Sequence, residues 1–320
     1  MGIKNLNTIL KTIDEFPEIK IQQLGYSVVG VDFSLFIYRF MYNRNNPFEC
    51  FLKQLTLFFN YNILPVYVFD GIAPEEKNDL LNKRANRRDK NAEELNKLIE
   101  LKNIGMENLN DDIDKLEKRC VNIPRDIYQN LIYFFDICGL PIIQENYESD
   151  WILAKLSQNK LIDLILSEDS DIFVHGGLNL MKKFSLNNES TTVYDLNTIL
   201  KKLDINHKQF IDLCILCGCD YCPKIKNLNA IKAYELIKEC QSIEEIILNY
   251  PSLSIDMQTI QAARNVFEKK ICPLLLEKLS NKIIKKKFQY ENIERFLNKN
   301  IDRKYLIQPF IRSCRKFLYK

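Results

Sequence analysis

Three stretches of this chain read as apolar strands that end in acids: "YSVVGVD" at 26–32, "NILPVYVFD" at 62–70 and "LIDLILSEDSD" at 161–171. A fourth acidic segment, "YESDW" at 147–151, follows the short apolar run "LPIIQ". Strands of this kind alternating with helical stretches predict a parallel sheet covered on both faces. In an open α/β sheet, the ligand crevice lies beyond the carboxyl ends of the strands. The pattern therefore predicts that Asp32, Asp70, Glu148, Asp150, Asp169 and Asp171 meet in one crevice, joined by Asp220 at the end of a later helix. So many like charges share a small volume only if cations neutralise them or some stay protonated. The reading is a divalent-metal site. For any single acid a helix cap competes, since Ser149, Asp150, Ser167 and Asp169 could all sit at N-termini. For seven acids together it fails, because caps need not converge.

Composition narrows the setting. A chain of 320 residues, 46% hydrophobic and 27% charged, can bury a sizeable core and is not disordered. It lacks an apolar run of roughly eighteen residues and a basic-then-apolar start. The expectation is a soluble intracellular protein with no membrane partner, whose ten cysteines are reduced thiols. "MGIKNL" has Leu6 where a myristoylation signal needs Ser or Thr. The net charge of +3 is uneven, because residues 264–320 carry +11 and the rest carries −8. An acidic pocket beside a basic tail suits a polyanion, and a solvated helix face is the competing reading.

Residues 1–74 read as helix, strand, helix, strand, with the second helix near 33–60. From Glu75 to Arg119, Leu95, Ile99, Leu109, Ile113 and Leu116 keep three-to-four spacing and Gly105 interrupts. That predicts two amphipathic helices joined at a bend. A core helix follows over 124–138, then strand-like runs at 141–144, 163–167, 171–175 and 178–184. From about 206 onward the chain reads helical, with a break at Pro251. With neither repeat nor linker, the halves should pack as one body.

Taken together, "MGIKNL", "VDFSLFIYRF" at 31–40, "VYVFDG" at 66–71, "YESDW", "SEDSD" at 167–171 and "DLCILCGCDY" at 212–221 stand in family order and spacing. They resemble the flap endonuclease (XPG-type) family of structure-specific 5′ nucleases. The resemblance runs from Met1 to about residue 245 and more weakly to the end. It implies an α/β, PIN-like fold with a twisted, mostly parallel central sheet, helices on both faces, a helical arch and a C-terminal helical region. The implied divisions are 1–104, the nuclease region with the first part of the arch; 105–222, the remaining arch and internal nuclease region; and 223–320, the DNA-binding helices and basic tail.

The resemblance also implies roles. Asp32, Asp70, Glu148 and Asp150 would serve chiefly one metal ion, and Asp169, Asp171 and Asp220 a second. The metal the resemblance implies is Mg2+, with Mn2+ able to substitute, and many of these carboxylates would act through water. Such paired ions sit roughly 3.5–4 Å apart. The family's Glu-x-Glu reads Glu148 and Asp150 here, one methylene shorter. Lys77 and Arg84 would reach the scissile phosphate, and Arg87 and Arg88 would grip the strand. Tyr38 would stack on a base, and Gly2 would contact DNA. An exposed basic helix turn and a core tyrosine are the plain alternatives.

The two-helix segment near 77–119 corresponds to the arch through which a free 5′ end threads. "KIKNLNAIKAYELI" at 224–237 matches the helix-two-turn-helix, with Asn227 and Asn229 replacing the family's glycines and Lys226 and Lys232 facing phosphates. Asn tolerates left-handed geometry best after Gly. The cysteines of "CILCGCDYC" at 214–222 invite a zinc or iron–sulfur reading, but read as buried thiols. Gln308-Pro309-Phe310-Ile311 lacks the aromatics of a sliding-clamp motif, so no clamp partner is expected. The expected partner is branched or 5′-flapped DNA, bound by a monomer in the nucleus or, for a viral member, at a cytoplasmic replication site. Two rival functions remain: a catalytically inactive scaffold for branched DNA, and a 5′-to-3′ ribonuclease.

Overall fold

The computed structural model describes residues 3–13, 16–106 and 108–318. A short helix α1 (Leu6–Leu10) and strand β1 (Glu18–Lys20) precede β2 (Val28–Asp32), α2 (Phe33–Tyr42), α3 (Pro47–Asn60) and β3 (Leu64–Phe69). Helices α4 (Asn78–Asn103) and α5 (Asn110–Arg119) form a hairpin, and α6 (Arg125–Ile137) leads to β4 (Ile142–Gln144). Next come α7 (Ser149–Gln158), β5 (Leu164–Leu166), α8 (Asp171–Val174), β6 (Asn179–Ser185) and β7 (Ser190–Asp195). The remainder is helical: α9 (Leu196–Leu203), α10 (His207–Cys217), α11 (Ala230–Cys240) and α12 (Ile243–Asn249). It closes with α13 (Met257–Phe267), α14 (Pro273–Lys282), α15 (Tyr290–Asn300) and α16 (Ile307–Leu318).

Among the described residues seven strands make one sheet, ordered β1-β7-β6-β5-β2-β3-β4. Strands β6, β5, β2, β3 and β4 are parallel, while β7 and β1 add antiparallel pairs at one edge. Alternate side chains point to opposite faces. Val29, Val31, Tyr67, Phe69 and Leu166 join an aromatic-rich layer with Phe33, Phe51 and Phe135. Val66, Val68, Ile143 and Ile165 join the other layer with Leu153, Ile172 and Phe173. Both faces are thus covered, which explains why these strands read as continuous apolar runs. At Gly30 an added Cβ would stand 2.6 Å from Leu153 and from Ile162, so the glycine lets α7 lie close to the central strand. The chain fills one side of β2 with β3 and β4, then crosses to β5 on the other. That switch point places a crevice at the carboxyl ends of β2 and β5.

The structure departs from the sequence reading in four places. The single helix expected near 33–60 is two, because Arg44 turns left-handed (φ 54) and Asn46 caps a new helix that has Pro47 in its first turn. The strand expected at 171–175 is the helical turn α8. There Ser167 Oγ accepts from Asp169 N at 3.1 Å, and Asp169 Oδ1 accepts from Asp171 N at 3.1 Å. Such side-chain hydrogen bonds to the backbone divert a chain from extended structure. Strands β1 and β7 were not anticipated, since β1 is three residues long and gains its definition only by pairing Glu18–Lys20 with Ser190–Thr192.

The basic tail is divided between the two ends of the sheet rather than gathered beside the carboxylates. Lys286 N donates to Gly139 O, before β4, and Lys316 Nζ to Asn60 O, before β3. Both contacts lie at the sheet's opposite end. Other tail cations are paired, including Lys278 and Lys282 with Glu145 and Arg303 with Glu49.

Arg264 on α13 is 5% exposed and joins Asp212 of α10, at 2.7 Å, to Glu244 of α12, at 2.6 Å. Truncating one partner leaves Asp212 buried without its counter-charge. Arg264→Ala should cost about 3–5 kcal/mol in urea unfolding. A loss below about 1 kcal/mol, the scale of an exposed pair, would contradict this account.

Candidate active site

Six acids of the crevice are delivered by strand ends or helix starts, and Asp220 by the loop after a helix. Asp32 closes β2 and caps α2, accepting from Leu35 N at 3.2 Å. Asp70 follows β3, and Glu148 and Asp150 open α7. Asp169 and Asp171 follow β5, and Asp220 lies past the end of α10. Hydroxyls tie the set together. Ser149 Oγ donates to Asp70 Oδ1 at 2.7 Å and lies 3.4 Å from Asp32 Oδ1, while Ser149 N donates to Asp70 at 2.9 Å. Ser167 Oγ donates to Asp32 Oδ2 at 3.0 Å, and Tyr221 Oη to Glu148 Oε2 at 2.8 Å.

Two cations enter the acidic crevice from the foot of the α4–α5 hairpin. Lys77 Nζ meets Glu148 at 2.5 Å and Asp220 at 3.3 Å, and Arg84 Nη2 meets Asp220 at 3.1 Å. Lys77 is largely enclosed, with 13% of its side chain exposed. Burial alone would lower its pKa, but Glu148, Asp220 and Asp150 outweigh burial and raise it. Burial, then Asp70 and Asp169, push the Asp32 carboxyl up to about 7. Asp150 and Asp171 are raised well above the ordinary range, first by burial and then by Asp169 and their other acidic neighbours. Burial, then Glu148, also raises the Tyr221 phenol, which keeps it a donor.

The donor set suits a hard divalent cation. Asp150 Oδ1 and Asp171 Oδ1 are sealed from solvent without a hydrogen-bond partner. A buried carboxylate oxygen in that condition needs positive charge or a proton. Among the described residues no three Asp, Glu, His or Cys side chains close into a direct-ligation set. Contacts through water meet that limit, and Mg2+ keeps several of its waters.

The other expected residues are more dispersed. Tyr38 is 46% exposed on α2, and Arg87 and Arg88 are exposed along α4. Asn227 takes the left-handed conformation (φ 59), and Asn229 caps α11 by accepting from Lys232 N at 2.8 Å. The turn therefore has the backbone form that glycines would allow. Lys226 is exposed, and Lys232 pairs with Glu235 at 3.5 Å. Gly2 lies outside the described residues. Cys214, Cys217, Cys219 and Cys222 are buried free thiols whose pKa values burial raises. Phe310 is buried in α16, 5.9 Å from the Phe59 ring. No helix among the described residues is long and apolar enough to cross a membrane.

Comparison with known proteins identifies the family. The XPG N-terminal domain matches residues 1–91 and the XPG I-region residues 139–220. Flap endonuclease 1 of Entamoeba histolytica is 31% identical over 268 residues, covering 77% of this chain and 69% of that protein. The chain belongs to the XPG/flap endonuclease family of structure-specific nucleases. Two solved structures share the fold of this family member. The catalytic core of Rad2 in complex with DNA substrate has a TM-score of 0.70 at 18% identity, covering 98% of this chain and 100% of that one. The Holliday junction-resolving enzyme GEN1, with product DNA and Mg2+, has a TM-score of 0.68 at 14% identity, covering 97% and 77%.

Sequence reasoning about this XPG-family chain named all seven acids and both cations but missed Ser149, Ser167 and Tyr221 as their partners. The available signal was a hydroxyl next to an acid in "ESD", "SED" and "DY". A carboxyl raised in the folded state stabilises at low pH, and that contribution is lost as pH climbs from about 4 to about 7. Mg2+ should therefore raise the urea midpoint more at pH 7.5 than at pH 5, relative to EDTA. Taking the increment cancels His175, which burial lowers to about 3 and whose slope is opposite. Equal increments at both pH values would show that Asp32 and its neighbours do not crowd.

Proposed function

We propose that this chain is a Mg2+-dependent 5′ nuclease that hydrolyses phosphodiester bonds at 5′ flaps of branched DNA and also digests from 5′ ends. Replication, repair or recombination would supply such DNA. The observation that carries the reading is the meeting of Lys77 and Arg84 with Glu148 and Asp220 at the mouth of a carboxylate crevice. Phosphoryl chemistry needs positive charge aimed at the phosphate, in a site where water is scarce. Mg2+ bound by the seven acids would supply Lewis-acid stabilisation of the attacking and leaving oxygens. With the carboxylate charge neutralised, Lys77 and Arg84 would exchange Glu148 and Asp220 for the scissile phosphate. Ser149, Ser167 and Tyr221 would hold the acids in place during that exchange.

The hairpin of α4 and α5 supports a substrate with a free 5′ end, because its 26-residue first helix stands off the core with no buried residue. Arg87 and Arg88 on that helix would grip the strand, and Tyr38 would stack on a base next to the cut. The left-handed Asn227 turn supports duplex binding by backbone amides, with Lys226 and Lys232 beside it.

Asp171→Ala should abolish cleavage of a flap substrate while anisotropy shows DNA binding largely retained. Lys77→Met should lower kcat by about 10²–10³ with a smaller change in KM, as for a group that acts on developing charge. Product mapping on matched flap, nick, overhang and four-way substrates, plus an all-RNA flap, tests the substrate class. Absence of Mg2+-dependent cleavage on every DNA would favour an inactive scaffold, and equal turnover of the RNA flap a ribonuclease.

A further inference from the structure

A cleft of about 490 Å3 opens between the N-terminal segment, the loop after β5, and strands β6 and β7. Glu168 and Ser170, the two neighbours of Asp169, line it, so the cleft shares a wall with the carboxylates. Its volume falls in the roughly 300–1,000 Å3 range of small-ligand sites. Among the described residues that line it, Lys11, Lys182 and Lys183 are basic and Glu168 is acidic. Lys182 is 8% exposed, and among the described residues its Nζ donates to a single acceptor, Ser170 Oγ at 3.0 Å. An ammonium has three donors, and enclosing it so poorly paired costs free energy that an anion would recover.

The neighbouring backbone is also unusual. Lys183 is left-handed (φ 56), at the bulge where β6 slips register against β7. Bulges beside sites re-aim a side chain, and a left-handed lysine is kept only where its surroundings enforce it. Glu168 does so here by accepting from Lys183 N at 2.9 Å, and it also stands 3.5 Å from Arg39. Phe16 and Tyr194 add paired rings to the lining, 4.8 Å apart and tilted by 34°.

We propose that this cleft is a nucleotide subsite, in which Lys182 and Lys183 take a phosphate and Phe16 and Tyr194 take the attached base. Aromatic faces and cations together are the chemistry that holds single-stranded nucleotides. That its occupant belongs to a strand lying across the carboxylates rests on the nuclease reading; the binding itself does not. The test is calorimetric titration of the full chain with thymidine 5′-monophosphate in EDTA, where neither metal nor cleavage contributes. Lys183→Glu and Lys11→Glu, both at exposed positions, should each weaken binding at least ten-fold while circular dichroism stays unchanged. Thymidine without its phosphate should bind at least ten-fold more weakly than the monophosphate. A 5′-phosphorylated trinucleotide that binds more tightly than the monophosphate assigns the cleft to a strand, and equal affinity assigns it to a free nucleotide. Unchanged affinity in both variants, or loss of binding on Arg87→Glu alone, overturns the proposal. Either result leaves the flap-cleavage test to stand or fall separately.

Discussion

Mutual repulsion among carboxylates at the exit edge of the sheet is the constraint on which the rest of the site depends. Parallel strands deliver Asp32, Asp70 and Asp169 to one edge, and helix starts add Glu148, Asp150 and Asp171. Burial disfavours the ionised form of Asp32, Asp150 and Asp171, and repulsion from acidic neighbours adds to it, so these carboxyls are held toward their protonated forms. Ser149, Ser167 and Tyr221 offset part of that cost by donating to the acids, and Lys77 offsets more by placing its charge between Glu148 and Asp220. The remaining deficit, at Asp150 Oδ1 and Asp171 Oδ1, is what a divalent cation would meet.

The scaffold makes the crowding possible by being rigid on both sides. The aromatic layer around Phe33, Phe51 and Phe135 backs one face of the sheet, and the helical layer around Leu153 and Phe173 backs the other. Gly71, immediately after Asp70, would drive a Cβ to 1.9 Å from Glu145 O and 2.8 Å from Tyr147 O. The missing side chain lets the segment leading to Glu148 pack directly against the end of β3, which brings the two acids to one crevice. The cations come from a different source. Lys77 and Arg84 stand at the base of a hairpin that leaves the core, so a conformational change there would move charge relative to carboxylates that stay fixed.

Legibility followed the range of the interactions. Elements announced by local periodicity, such as the α4–α5 hairpin with its bend at Gly105 and the helix over Arg125–Ile137, were readable to within a few residues. So were the apolar strands, because a strand covered on both faces has no polar positions to blur it. Elements defined by a partner elsewhere were not readable: β1 exists through its ladder with β7. The turn of α8 looked extended because its apolar residues continue the run of β5, and only the hydroxyl and carboxylate bonds to the backbone at Ser167 and Asp169 turn it. The basic excess near the C-terminus read as a tail beside the acidic pocket, with a solvated helix face as the competing reading, yet its charges are divided between opposite ends of the sheet.

The sequence by itself determined which residues are acids at strand ends, which cations precede the long helix, and that Asn227 can take a left-handed turn. These are properties of single residues and their immediate neighbours, so no distant contact was needed to read them. Tertiary structure alone decided that Lys77 fills the gap between Glu148 and Asp220, residues far apart in the chain. It also decided which hydroxyl serves which acid, and that Lys182 lies buried beside a cleft. Partner choice of this kind depends on distances across the fold, and the order of residues along the chain does not encode those distances locally.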